Sequence, residues 1–219
     1  MDAGLTGKRV AIVATDGVEL RELEAPRRAL EAVGARAEVI APRGGTIEVC
    51  DGEAKTGMTS VDRHLGEAKA SEYAALLLPG GARSSETLRV DDRAVQFVRE
   101  MMLTDKPVAA IGDGARLLVA ADAVAGRTLT SSPSLRADIE AARGKWVDEA
   151  VHVDGRLITS RRSQDLPMLS ARLTRELAGW LDESRIDETS EASFPASDPP
   201  PGPSAVGGTG ASSSPAEAR

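Results

Sequence analysis

The stretch Lys106–Ala123, KPVAAIGDGARLLVAADA, decides the fold. Pro107 to Ile111 is a short apolar run without polar alternation, which suits a strand buried on both faces. Gly112-Asp113-Gly114 breaks the run, and Ala115 to Ala123 resume as helix formers around Leu117 and Leu118. A buried strand that turns through glycines into a helix is half of a parallel βαβ unit.

Outward from it, Lys8–Ala14 (KRVAIVA) and Ala74–Leu78 (AALLL) repeat the apolar run. Between these, Leu20–Val33 carries Leu23, Ala29, Leu30 and Val33 at helical spacing, and Asp91–Leu103 carries Val95, Val98, Met102 and Leu103. The alternation predicts an α/β domain: a mostly parallel sheet, helices on both faces, right-handed crossovers, and a site at the strand C-terminal ends. Gly44–Met58 is expected to form a small β excursion at the sheet edge. Arg127–Thr130, Trp146–Val153 and Leu157–Ser160 read as short strands around a helix over Ser134–Arg143, with Asp154-Gly155 as a hairpin turn. A last helix, Asp165–Leu181, places Leu166, Leu169, Leu173, Leu177 and Leu181 on one stripe, too short for a zipper and therefore core.

The chain has 219 residues with 41% hydrophobic and 28% charged, enough for one core. Lys plus Arg number 27 and Asp plus Glu 34, a formal charge of −7, which argues against nucleic acid or an anionic membrane as partner. One cysteine and two histidines exclude an intramolecular disulfide and the usual zinc sets, so neither metal nor cofactor is expected. The acidic start Met1-Asp2-Ala3 and the lack of a long apolar run point to a cytoplasmic protein. From Ser184 to Arg219, 24 of 36 residues are Pro, Gly, Ser or Ala, a composition that predicts a disordered tail. The expected organisation is an N-terminal extension over 1–7, the domain over 8–183 and the tail over 184–219.

Three loops follow buried strands and are expected to converge: Thr15–Glu19, Pro79–Arg83 and Gly112–Gly114. The residues DGVEL with Glu24-Ala25-Pro26, LLLPGG, KPVAAI running into the elbow, and GRTLTSSPSLRADI followed by WVDEAVHVDGRLITSR resemble the ThiJ/PfpI family. That family holds PfpI-type intracellular proteases and the parkinsonism-associated deglycase. The resemblance covers about residues 8 to 182. It implies a flavodoxin-like three-layer sandwich of the class I glutamine-amidotransferase-like type, a dimer or hexamer, and a stress-related role. It also implies Ala-Ile-Cys-His-Gly at the elbow, with an upstream Glu hydrogen-bonded to the Cys. On that pattern Glu19 matches the Glu, Gly112 stands at the nucleophile position and Asp113 at the His position.

Glycine relieves a strained elbow, and Asp113 is expected either to cap the following helix or to act as a pocket carboxylate. Glu19 reads as a backbone-bound carboxylate or as an acid–base group, sharing a proton with Asp113 if the two face each other. Gly80 and Gly81 read either as a tight turn only or, as the resemblance implies, as part of an oxyanion hole in which the Gly81 and Asp113 amides cradle a carbonyl or carboxylate oxygen. Arg83 and Arg116 flank it. Cys50 reads as a buried or incidental free thiol, and His64 and His152 as surface or hydrogen-bonded histidines outside the site. The leading expectation is a domain that has lost Cys-dependent catalysis and keeps a pocket for a small carbonyl or carboxylate ligand, or for a protein partner. The alternatives are a Glu19-based lyase or hydratase acting on small carbonyls, and a PfpI-type peptidase or deglycase.

Overall fold

A computed structural model describes residues 5–192. Its strands are β1 (Arg9–Val13), β2 (Val18–Glu19), β3 (Arg36–Ala41), β4 (Thr46–Asp51), β5 (Ala54–Ser60), β6 (Arg63–His64), β7 (Ala75–Leu78), β8 (Val108–Ile111), β9 (Thr128–Leu129), β10 (Lys145–Trp146), β11 (Val151–Asp154) and β12 (Leu157–Ser160). Its helices are α1 (Leu20–Ala32), α2 (Ala82–Leu88), α3 (Asp92–Met102), α4 (Ala115–Ala120), α5 (Arg136–Ala141) and α6 (Leu166–Ala192).

The main sheet runs β11-β12-β8-β7-β1-β3-β6, parallel throughout except for the antiparallel edge strand β11. Its inner strands β12, β8, β7, β1 and β3 are buried on both faces, as the unalternating runs require, and the edge strands β11 and β6 are half-buried. Val10 and Ile12 join a core with Leu23 and Leu30 of α1 and the whole leucine stripe of α6. Ala11 and Val13 face the opposite way, into a second core with Phe97 and Met101 of α3, Leu117 of α4 and Ile139 of α5. The three-layer α/β sandwich is thus present. The β excursion is present as well: β4 and β5 pair antiparallel, and β2 adds to β4 in parallel, as a three-stranded sheet apart from the main one.

Several details differ from the sequence expectations. Strand β3 carries Arg36 and Glu38, and this charge pattern hid a strand that lies between β1 and the short edge strand β6. The buried face of α1 is Glu22, Leu23, Pro26 and Leu30, whereas Val33 is exposed. In α3 the buried residues are Ala94, Phe97, Val98 and Met101, and Leu103 is 82% exposed. Both helices are therefore rotated from the stripes expected. The N-terminal extension is not detached at its described end: Leu5 is buried in the core, and the Gly7 amide donates to the Gly34 carbonyl. Helix α6 continues past Ser184 to Ala192, and the rest of the expected tail lies outside the described residues. No helix among the described residues is long and apolar enough to cross a membrane.

Candidate functional site

The loops after β1, β7 and β8 meet at one point, as expected. The Glu19 amide donates to the Gly80 carbonyl at 3.1 Å, and the Thr15 amide donates to Ser84 Oγ at 3.1 Å. Gly81 sits at φ +107°, where any Cβ would collide with the Gly17 carbonyl oxygen. Only glycine lets these two loops approach so closely.

β8 ends at Ile111, and the chain turns sharply through Gly112 at φ +50° into a 3₁₀ turn, Gly112–Gly114, and then α4. A Cβ on residue 112 would enter a small space. It would lie 3.2 Å from the Arg161 carbonyl oxygen, 3.8 Å from Ser132 Oγ and 3.9 Å from Glu22 Oε1. The carboxylate beside the elbow is therefore Glu22.

Glu22 was not among the expected site residues. It is 6% exposed, on the buried face of α1 with Pro26 and Leu30 at successive spacings of four. The Gly80 amide donates to its Oε2 at 2.8 Å, and the Ser163 hydroxyl donates to its Oε1 at 2.9 Å. Burial pushes its pKa up to about 7, the two hydrogen bonds pull it down in part, and the charges of Glu19 and Asp113 raise it further. The available signal was a single acidic residue within an apolar helical face, at position 22 beside Leu23, Pro26 and Leu30.

Glu19 is placed elsewhere. It stands at the N-cap of α1, half-buried, and its Oε2 accepts from the Gly52 amide at 2.9 Å, in the β4–β5 turn. Glu19 is bound to a backbone amide, but in the β excursion and not near the elbow, where the sequence reading places its partner. The proposed Glu19–Asp113 proton-sharing pair gives way to a different arrangement, because both are charged neighbours of the buried Glu22.

Asp113 does not cap α4. The N-cap is Gly114, with no side-chain cap hydrogen bond, and the Asp113 carboxylate lies 3.8 Å from Arg116. The turn tightens into 3₁₀ geometry before α4 begins, so Asp113 already lies inside it. Gly81 is the N-cap of α2, and Asp113 lies in the 3₁₀ turn before α4.

The flanking arginines are engaged. Arg83 pairs with Glu48, and Arg116 with Glu86 at 3.0 Å. Cys50 is buried in β4 and is the register partner of Glu19. The Gly66 amide donates to His64 Nδ1 at 3.0 Å, and His152 Nδ1 lies 2.8 Å from Glu149. Both histidines are hydrogen-bonded outside the elbow, as read from the sequence. Among the described residues no group of three or more His, Cys, Asp or Glu side chains is placed to hold a metal ion.

Residues 8–176 match the model of the DJ-1/PfpI family, and the chain belongs to that family. It is 38% identical to General stress protein 18 of Bacillus subtilis over 162 residues, covering 74% of this chain and 92% of the relative. It is 36% identical to Protein/nucleic acid deglycase 2 of Escherichia coli, covering 78% of this chain and 98% of that one. Among solved structures, a two-domain protein of Anabaena variabilis with DJ-1/ThiJ/PfpI-like and ferritin-like domains superposes with a TM-score of 0.73 at 32% identity. That match covers 78% of this chain and 48% of the other.

Proposed function

We propose that this chain is a DJ-1/PfpI-family protein whose elbow binds a small carbonyl or carboxylate compound without using a cysteine, Glu22 being its ionisable centre. The carrying observation is the buried Glu22 carboxyl, held at both oxygens beside a residue 112 that has no side chain. Two facts support the absence of thiol chemistry. Position 112 is glycine, and the one cysteine of the chain, Cys50, is buried in β4. A thiol must be accessible and activated as thiolate to attack a substrate. A stress-related role, a cytoplasmic location and self-association belong to the same proposal, supported by the family and by the stress-protein name of one relative.

The protonated Glu22 can donate a hydrogen bond to a ligand oxygen, whereas the ionised form repels an anion. Carboxylate binding should therefore weaken as pH rises through about 7. Calorimetric titration with pyruvate at pH 6 and pH 8, and turnover of methylglyoxal, test the proposal. The wild type should bind pyruvate more tightly at pH 6, and Glu22→Gln should remove the pH difference. No alkylation-sensitive methylglyoxal turnover is expected from the wild type, and such turnover should appear in the double replacement Gly112→Cys with Asp113→His. Loss of wild-type turnover on alkylation of Cys50 would overturn the proposal in favour of a thiol enzyme.

A further inference from the structure

Glu22 has a hydroxyl partner from a distant part of the chain. Ser163 lies in the 3₁₀ turn Ser163–Asp165 between β12 and α6, and its Oγ donates to Glu22 Oε1 across 141 residues of sequence. The turn is pinned: the Asp165 amide donates to the Arg162 carbonyl at 2.9 Å, and Arg161 Nε donates to Asp165 Oδ2 at 3.2 Å. Ser163 is half-buried, whereas its partner Glu22 is buried.

We propose that Ser163 is the nucleophile of an acyl-transfer reaction on small carboxylic esters, with Glu22 as its general base. The inference rests on the ligand site proposed above and gives it a chemistry. A nucleophile hydrogen-bonded to a base that is itself held by a third group is the arrangement that activates a hydroxyl, and here Gly80 N–H is the third group. The base strength also fits. The groups facing Glu22 are the Glu19 and Asp113 carboxylates, the Gly80 amide and Ser163 itself, and with burial they set a pKa of about 7. That is the range in which a general base works best at neutral pH. Residue 112, without a side chain, is the elbow position nearest Oε1, and Gly80, whose amide holds Oε2, lies against the Asp113 amide at the same elbow.

In the first step the Ser163 Oγ–carbon bond forms, the carbonyl π electrons move onto oxygen, and the hydroxyl proton passes to Glu22 Oε1. The carbon–alkoxide bond then breaks and the leaving alkoxide takes that proton. Water repeats the sequence on the acyl-serine, releasing the acid and restoring Ser163. The acid released is a small carboxylate, the ligand class assigned to the elbow.

The test uses the full chain and a fluorophosphonate probe, read by intact mass and peptide mapping. One adduct is expected on the wild type, at Ser163, forming faster as pH rises through about 7 because the base must be ionised. Ser163→Ala should abolish it, and Glu22→Gln, which keeps shape and removes the base, should slow it at least tenfold. Hydrolysis of p-nitrophenyl acetate should fall in parallel in both variants. A wild type unlabelled at Ser163, or labelled equally fast in Glu22→Gln, would overturn the proposal without need of any variant that misfolds. Pyruvate titration of the same samples separates the two readings. Binding without labelling leaves the ligand site standing and removes the nucleophile, and labelling without binding does the reverse.

Discussion

Two glutamates are equally buried in this molecule, Glu22 at 6% exposure and Glu38 at 5%, and their surroundings are opposite. Glu38, on β3, accepts from Arg9 at 2.9 Å and from the Tyr73 hydroxyl at 3.1 Å, and Arg36 Nε lies 3.1 Å from its other oxygen. Glu22, on α1, has an amide and a hydroxyl and no cation, and its charged neighbours are carboxylates. Burial costs a carboxylate its hydration in either place. Where arginines replace the water, the carboxyl ties strands together. Where only neutral donors replace it, the proton is retained to about pH 7 and the group is left able to titrate. The difference separates a buried acid that serves the fold from one that serves a site.

The largest expected effect comes from breaking the paired acid. Glu38→Gln leaves Arg9 facing a neutral amide, and since the Arg9 side chain is 28% exposed the loss is tempered by solvent. Destabilisation of about 2–4 kcal/mol is expected in urea unfolding at pH 7. Glu22→Gln should act in the other direction. The folded-state pKa of Glu22 is raised from 4.5 to about 7, so the native state holds a proton that the unfolded chain gives up across that window. Stability should therefore fall as pH rises from about 4.5 to 7 and stay low above it, by roughly 1–3 kcal/mol after discounting for relaxation. Glu22→Gln should flatten this slope and be more stable than the wild type at pH 8. An unchanged slope in denaturant titrations from pH 5 to pH 8 would show that Glu22 is not the group responsible. The smallest effect belongs to Gly112→Ala. A Cβ at φ +50° is strained by about 1–2 kcal/mol, and it would press within 3.2 Å of the Arg161 carbonyl oxygen. The same methyl would stand 3.9 Å from Glu22 Oε1 and displace solvent there, so the Glu22 midpoint, followed by carbon NMR of its carboxyl, should move upward.

The legibility of the site differs residue by residue. The elbow was plain, because a buried apolar run interrupted by Gly112 and Gly114 admits few other geometries. The convergence of the Thr15, Gly80 and Gly112 loops followed from the parallel order of three such runs. Glu22 was not plain. It lies three residues from Glu19 in a helix with five charged residues in its first nine, and choosing between them depends on the angle at which α1 packs. Val33 and Ala29 suggested one rotation, and packing of Leu23, Pro26 and Leu30 against the sheet and α6 selected another. Strand β3 was missed for a related reason: a buried Glu38 in a strand is tolerated because Arg9 and Tyr73, from β1 and the approach to β7, come to meet it. Ser163 carried no sequence signal at all, its partner being 141 residues away.

By itself the sequence determined the α/β class, the leucine stripe of α6, the glycine elbow and the absence of a cysteine at it, because strand burial, helical period and φ preference are local properties. Only the tertiary structure decided which carboxylate faces the elbow and which hydroxyl it meets. Those depend on helix rotation and on contacts between distant segments, and the free energy that sets them comes from packing the two cores rather than from any neighbouring residue.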